Sequence, residues 1–411
     1  VLKGFLERVG TDAPDDYPRF SIIIPVRNRA TEIGDCLTSL LQLRYPADKV
    51  EIIVVDDASE DATPTEVEKH PVRLIRLKRN MQASYCRNLG AWVAKGEILA
   101  FIDSDCIADP MWLVQLLPAF EDPVLAAVGG RVDSYYEDKR LDLYEKAKSS
   151  LIVSSYPKRS ERGDPFFYVP ACNFLVRRDV FLGVGGFNIH LSVGEDVDLC
   201  WRLRKSQYDF EFRPEGIVYH KHRNRLSTFC KRRFDYGTSE PLLQKTHPDK
   251  VKQFIVPVAA AGFWSLILLW TLTGQPMFVG VGCLVAVTEC LVKNHRYKRF
   301  KIGLGMIFTA TLRSYMAFIY NVCAFISRYY LILGIICAPL TLVLTLVVGS
   351  MHILNGFVEY RLKRAKLYFP WFIVFFTLEQ ISYQAGVWLG CLRHRLLSPV
   401  SPKLITNISL K

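Results

Sequence analysis

The sequence predicts an α/β unit built on a largely parallel sheet, joined to a second region of long apolar helices. Three observations predict it. Short apolar runs that stop in polar clusters alternate with segments of helical spacing over the first hundred residues. Hydrophobic residues are 50% of the 411-residue chain, yet they concentrate in 254–392, whereas 1–250 reads like a soluble protein. Lys and Arg crowd beside the apolar stretches, at Lys293–Lys301, Arg361–Lys366 and Arg393–Arg395. A chain of this length exceeds one ordinary core, so at least two structural units are expected.

Residues 1–19 are polar and carry Pro and Asp, so no signal peptide is expected there, and the opening Val1 leaves room for an upstream piece. Phe20-Ser21-Ile22-Ile23-Ile24-Pro25 is a buried strand closed by a proline. Ile33, Leu37, Leu40 and Leu41 then recur at helical spacing up to Pro46. Glu51–Val55 is a second strand and ends in Asp56-Asp57-Ala58-Ser59. Val72–Leu77 is a third, Gln82–Lys95 a helix, and Glu97–Ile102 a fourth strand that ends in Asp103-Ser104-Asp105. Strand and helix alternating at this spacing make βαβ units. In such sheets ligands sit beyond the carboxyl ends of the strands, where Pro25–Asn28, Asp56–Ser59 and Asp103–Asp105 all fall. Three polar clusters on one rim outline a nucleotide site.

Asp103 and Asp105, two residues apart at a strand end, can aim the same way. Converging carboxylates suit a hard divalent cation, Mg²⁺ or Mn²⁺, itself bound to phosphates; alone, Asp-Ser-Asp is also a common surface turn. Neither GxGxxG nor GxxxxGK[ST] occurs. A diphosphate must therefore be neutralised otherwise, most simply by a metal at Asp103 and Asp105. The net charge of +12 fits an anionic partner. Its placement beside apolar runs favours membrane lipid, and no nucleic-acid module is recognisable. The eleven cysteines show no CxxC pair and are expected to be reduced packing residues of a cytosol-facing protein.

Ser21-Ile-Ile-Ile-Pro25-Val-Arg27-Asn28, Val55-Asp-Asp-Ala-Ser59, Cys86-Arg-Asn-Leu-Gly90, Phe101-Ile-Asp-Ser-Asp105 and Gly194-Glu-Asp-Val-Asp-Leu-Cys-Trp-Arg-Leu-Arg204 stand in the order of the family 2 glycosyltransferases. This resemblance covers roughly residues 20–240. It implies a GT-A fold, a Rossmann-like mixed sheet that is mainly parallel, and inverting transfer from a nucleotide sugar. It further implies that Asp56 or Asp57 bonds the base, uracil in the favoured UDP-sugar, with Pro25, Arg27, Arg87, Asp103 and Ser104 lining the nucleotide-sugar site. Asp105 would be the principal metal ligand, with Asp103 and His220 beside it, and Asp196 the general base. Asn173, Gly186 and Glu195 would lie on the acceptor side. Ala58 and Gln82 depart from the family, which usually has Gly at both positions.

Plainer readings stand beside these. Asp56–Ser59 also suits a helix N-cap, and Glu195-Asp196-Val197-Asp198 suits the acidic first turn of an amphipathic helix. Arg177 is a phosphate partner or a solvated base. His220 is a metal or phosphate contact or a structural strand-end histidine, with His222 the lesser candidate. Arg223, Arg225, Lys231, Arg232 and Arg233 line the membrane surface or clamp the diphosphate. Cys230-Lys-Arg-Arg233-Phe234 poorly matches the Gln/Arg-x-x-Arg-Trp element of processive members, so long-chain polymerisation is not expected.

In the apolar half Phe254–Thr273, Pro276–Val292, Gly303–Ile326 and Leu331–Gly356 are expected to cross a bilayer. Leu367–Leu392, which holds Glu379, Gln380 and Gln384, is expected to be re-entrant or interfacial. The basic runs place the catalytic part in the cytosol. The expected acceptor is a lipid-linked saccharide or polyprenyl phosphate; the tail Tyr383–Arg395 resembles glycosyltransferases of the mycofactocin pathway, which implies a small peptide-derived acceptor as the alternative. The expected organisation is an extension over 1–19, a GT-A domain over 20–245, helices over 246–395 and a tail over 396–411. The competing readings are a processive polysaccharide synthase that exports its product and a membrane scaffold with a degenerate nucleotide-binding domain.

Overall fold

β1 (Phe20–Val26) is buried along its whole length, and the first unit is laid out around it. The computed structural model describes residues 17–160, 164–222, 224–339 and 341–406. The chain divides into two compact units between Leu226 and Ser227. The first sixteen residues of the expected extension, Arg223, and the tail beyond 406 lie outside the described residues.

After β1 the first unit runs through α1 (Ile33–Leu41), β2 (Val50–Asp56), α2 (Thr63–Val67), β3 (Arg73–Arg76), α3 (Gln82–Val93) and β4 (Ile98–Ile102). It continues with β5 (Cys106–Ala108), α4 (Trp112–Leu116), β6 (Leu125–Ser134), α5 (Arg140–Lys148) and β7 (Lys158–Arg159). β8 (Asn173–Arg177), α6 (Arg178–Gly183), α7 (Glu195–Lys205) and β9 (Asp209–His220) complete it. The strand order is β3-β2-β1-β4-β8-β6-β9-β5, with β7 on β9. β3, β2, β1 and β4 are parallel, as the βαβ spacing requires. Antiparallel β8 then joins β4 to β6, which pairs in parallel with β9. The result is a mixed sheet.

Strand alternation divides the core between the two faces. Ile22, Ile24, Val54, Ala100 and Ile102 pack under α1 and α4, where Leu37, Leu40 and Trp112 cover them. Ile23, Val55, Leu99 and Phe101 face the other way, under α3, α6 and α7. On that second face Phe101 meets Phe181 and Phe187, each with ring centroids 5.1 Å away. This aromatic cluster fixes α6 and the loop before α7 over the carboxyl end of β4.

The second unit contains α8 (Leu226–Thr246), β10 (Gln253–Ile255), α9 (Val258–Thr273), α10 (Met277–Tyr297), α11 (Leu304–Tyr329), α12 (Leu331–Ile336), α13 (Leu342–Leu362), α14 (Phe369–His394) and β11 (Lys403–Ile405). Among the described residues two helices are long and apolar enough to cross a membrane, Met277–Phe300 and Leu342–Leu362, with mean hydropathy 1.5 and 1.6. α9 has only 16 residues, and the stretch expected to run unbroken over Leu331–Gly356 is split between α12 and α13. Leu367–Leu392 lacks the break that a re-entrant loop needs; it is one continuous helix, α14. Its Glu379, Gln380 and Gln384 are buried inside the unit. α14 crosses α8 with no room for side chains at the crossing: a Cβ on Gly237 would stand 2.1 Å from the Tyr383 carbonyl, and one on Gly386 2.1 Å from that of Phe234.

Candidate active site

The parallel strands β1, β2 and β4 end side by side, with Val26 paired to Asp56. Asp103, Ser104 and Asp105 follow β4 directly. Antiparallel β8 starts at Asn173 opposite Ile102, and β9 finishes at His220 opposite Cys106. Chain segments as distant as Val26 and His220 therefore open on one rim, for a topological reason: strands that run in opposite directions deliver a start and an end to the same edge.

Arg87 joins the two acidic segments of this rim. It projects from α3 and is 3% exposed. One guanidinium arm reaches Asp103 Oδ1 at 2.7 Å and the other Glu195 Oε1 at 2.8 Å. Phe187 lies 5.4 Å below the plane of charge. A planar fork with two carboxylates is a geometry that Arg supplies and Lys does not. It brings the end of β4 and the start of α7 onto one cation.

Next to Glu195, Asp196 sits half-buried in the first turn of α7. Its Oδ1 accepts the Val197 N–H at 2.8 Å and its Oδ2 the Ala171 N–H at 3.3 Å. Burial, followed by the repulsion of Glu195, pushes its carboxyl up to about 7, while those N–H donors and Arg87 act in the opposite sense. Such a carboxylate is poised to exchange a proton near neutral pH. The helix turns in at Gly194, whose φ of +82° lies in the left-handed region. Cys172 registers how close these groups are. Its thiol is lowered by a hydrogen bond from Cys106 and raised, more strongly, by burial and by the charges of Asp103, Asp105 and Asp196.

Asp105 faces His220, with Oδ1 3.5 Å from Nε2. Cys106 completes a group whose ligand atoms all lie within 4.8 Å of one another. The buried Nδ1 of His220 has no hydrogen-bond partner. Arg29 approaches the other Asp105 oxygen at 3.7 Å. A carboxylate, an imidazole and a thiol on one edge fit a divalent cation.

The profile of the family described as glycosyl transferase family 2 matches residues 21–184. The chain carries a family 2 glycosyltransferase domain. Over 98% of its length it is 28% identical to the pre-mycofactocin glycosyltransferase of Mycobacterium tuberculosis, of which it covers 87%. It is 29% identical to glycosyltransferase AglE of Haloferax volcanii, over 61% of this chain and 81% of that one. Among solved structures, the mannosyltransferase PcManGT of Pyrobaculum calidifontis, in complex with GDP-Man and Mn²⁺, superposes with a TM-score of 0.45. The two are 18% identical over 77% of this chain and 94% of that one.

Within this glycosyltransferase domain the residues expected on the nucleotide side sit as follows. Pro25 closes β1, and Arg27 pairs with Glu60 at 3.5 Å. Asp56 accepts the Ser59 N–H at 3.3 Å and tightens the turn after β2. Asp57 accepts from Met81 and Gln82 at 2.6 and 3.0 Å, so it caps α3, a helix 25 residues further on, and thereby aims Arg87. Asn28, Ala58 and Gln82 all hold positive φ, at 51°, 55° and 72°. Ala58 and Gln82, the two departures from the family's glycines, thus occupy backbone that glycine tolerates best. Ser104 is buried between the two rim aspartates.

Other side chains belong to the fold. Asn173 is fully buried; its amide spends both N–H groups on the Arg131 and Gly216 carbonyls and accepts from the Trp112 indole, so it is committed to the core and closed to an acceptor. Arg177 stands at the opposite end of β4, beside Ile98, and binds the carbonyls of Leu125, Phe120 and Asp122, which excludes it as a phosphate partner at this rim. Gly186, at φ +65°, offers its carbonyl to Arg202 at 2.5 Å. His222 is turned to Glu145, 3.8 Å away. Arg29, Asn88 and Cys106 were not singled out by sequence. Asn88 holds both backbone groups of Phe187 at 2.8 Å and so fixes the Gly185–Phe187 loop to α3. Its place one residue after Arg87 was the available signal.

Proposed function

We propose that the chain moves a hexosyl group from a nucleotide sugar, a UDP-sugar first among donors, to an acceptor hydroxyl by one inverting displacement. The observation that carries this reading is the Arg87 fork, which holds Asp103 and Glu195 together and so sets Asp196 beside the donor rim. Pro25, Arg27, Asp56, Asp57 and Ser104 frame the base and ribose, and Gly186 and Glu195 face the acceptor. Asp196 accepts the hydroxyl proton as the new bond to the anomeric carbon forms and the bond to the diphosphate breaks. Asp105 and His220, with Asp103 alongside, would hold a divalent cation, Mg²⁺ or Mn²⁺, whose charge stabilises the departing diphosphate. Arg29 adds positive charge at the same oxygen edge.

The catalytic domain occupies 20–245 and the helices 246–395. The helices anchor the protein in the cell membrane as a multi-pass region. Basic runs at Lys293–Lys301 and Arg361–Lys366 hold the glycosyltransferase domain on the cytoplasmic side. A similarity that extends over 98% of the chain, helices included, is to a pre-mycofactocin glycosyltransferase, which favours a small peptide-derived acceptor over a lipid-linked saccharide. The test is release of nucleoside diphosphate by the full-length protein across several nucleotide sugars, with Mn²⁺ or Mg²⁺, against membrane extract and a ribosomal-peptide-derived acceptor. Metal-dependent release with one donor supports the reading. No release with any donor, alongside a correctly folded protein, refutes it.

A further inference from the structure

β5 and β9 put Cys106 and His220 directly opposite each other, and Asp105 immediately precedes Cys106. A hard cation engages carboxylate and imidazole and has little use for a thiol. The third member of this group is therefore unexplained by a Mg²⁺ or Mn²⁺ site. Cys106 is fully buried, and its thiol hydrogen-bonds to Cys172. The imidazole of His220 is 11% exposed on its side chain and its Nδ1 has no partner.

We propose that Asp105, Cys106 and His220 form a site for a thiophilic divalent cation of the zinc type, with the Cys106 sulfur as one ligand. Tetrahedral zinc takes sulfur at about 2.3 Å and nitrogen or oxygen at about 2.0–2.2 Å, so its ligand atoms stand roughly 3.3–3.8 Å apart. The Asp105–His220 separation of 3.5 Å already meets that, and all three ligand atoms lie within 4.8 Å of one another, so closing on a cation asks for a shift of about 1 Å at most against the upper tetrahedral edge. On binding, the S–H bond breaks, a sulfur–metal bond forms, and the proton passes to solvent; no electrons change hands. The fourth position remains open. Zinc also outranks manganese for a site containing nitrogen and sulfur. It follows, on the reading of Asp105 and His220 as the donor-side metal pair, that Zn²⁺ competes with Mn²⁺ there.

The experiment is Co²⁺ titration of the metal-stripped full-length protein in detergent, followed by thiolate-to-cobalt absorption. The wild type is expected to develop that band with one equivalent at this site. Cys106→Ser loses it together with roughly tenfold or more of Co²⁺ affinity, since even outer partners of a ligand are worth 10–100-fold. Cys172→Ser keeps it, and His220→Ala weakens binding. Zinc-edge X-ray absorption on the wild type reads the same ligand without any variant, as sulfur at about 2.3 Å. Cobalt bound without the band, a band that survives in Cys106→Ser, or a zinc shell without sulfur overturns the proposal. Donor hydrolysis with Mn²⁺ is measured in parallel. If it is absent while the band is present, the transferase reading falls and the cation site stands; the reverse result separates them the other way.

Discussion

Replacing Asp196 with Asn tests the proton acceptor and the fold in one protein. The carboxyl rises from 3.8 to about 7 on folding. That shift of about 3 units corresponds to about 4 kcal/mol between the two protonation states. The sign follows from proton binding. Below pH 4 both folded and unfolded chains carry the proton, and the stabilising contribution is complete. Between about pH 4 and 7 the folded state keeps a proton that the unfolded chain gives up, so stability falls as pH rises and the full amount is gone above 7. Asn is never charged and escapes this loss. It gives up one of the two N–H acceptances, from Val197 or Ala171, at a cost of about 1 kcal/mol. The net expectation above pH 7 is a gain of about 2–3 kcal/mol, hence several degrees in melting temperature at about 2–4 °C per kcal/mol. At pH 4 the gain vanishes. Thermal scans of both proteins at pH 4 and pH 8 read the stability, and product formation from pH 5 to 9 reads the chemistry. The wild type should lose about tenfold in rate per pH unit below 7, and Asp196→Asn should bind donor but not transfer. A wild-type rate that is flat from pH 5 to 8, or a variant no more stable at pH 8 than at pH 4, would refute the assignment of a raised carboxyl to the base.

Arg87→Ala leaves Asp103 and Glu195 charged, adjacent and without their shared cation, so denaturant unfolding should show a loss of about 3–5 kcal/mol; Arg87→Lys, with a point charge, should recover part of the stability but not the rate. Ala58→Gly and Gln82→Gly should each stabilise by about 1 kcal/mol, because each relieves a left-handed residue, and a shift of the denaturation midpoint checks it. Asp105→Ala should reduce metal and donor affinity together, read by calorimetry with Mn²⁺ and UDP; unchanged Mn²⁺ affinity would remove Asp105 from the ligand set.

The rim was legible because it is written locally. An apolar run such as Ile98–Ile102, stopped by two carboxylates, states both the strand and the acidic rim at its end. The Glu195–Asp196 segment was also visible, as a motif. What joins them was not: Arg87 and Glu195 are 108 residues apart, and no periodicity encodes a salt bridge across that distance. The family resemblance alone puts Asn173 on the acceptor side; its three bonds inside the core depend on Trp112, Arg131 and Gly216, none of them near in sequence. Cys106 read as packing, and it is indeed buried, but antiparallel pairing with His220 gives it a polar neighbour. In the second unit, Glu379, Gln380 and Gln384 argued for a re-entrant or interfacial segment, whereas tertiary contacts hide them.

Glu240 on α8 binds Lys252 and the hydroxyls of Tyr329 and Tyr383, and Arg328 lies 3.5 Å over the Tyr383 ring. Tyr383 enters the chain 143 residues after Glu240. During synthesis the ribosome therefore releases an acidic group long before its last companion exists, and the interval must be spent with that charge hydrated or in other hands. The helical unit is thus closed from its far end: it acquires its final arrangement only as the last helix arrives, and Gly386 lets that helix seat flush when it does.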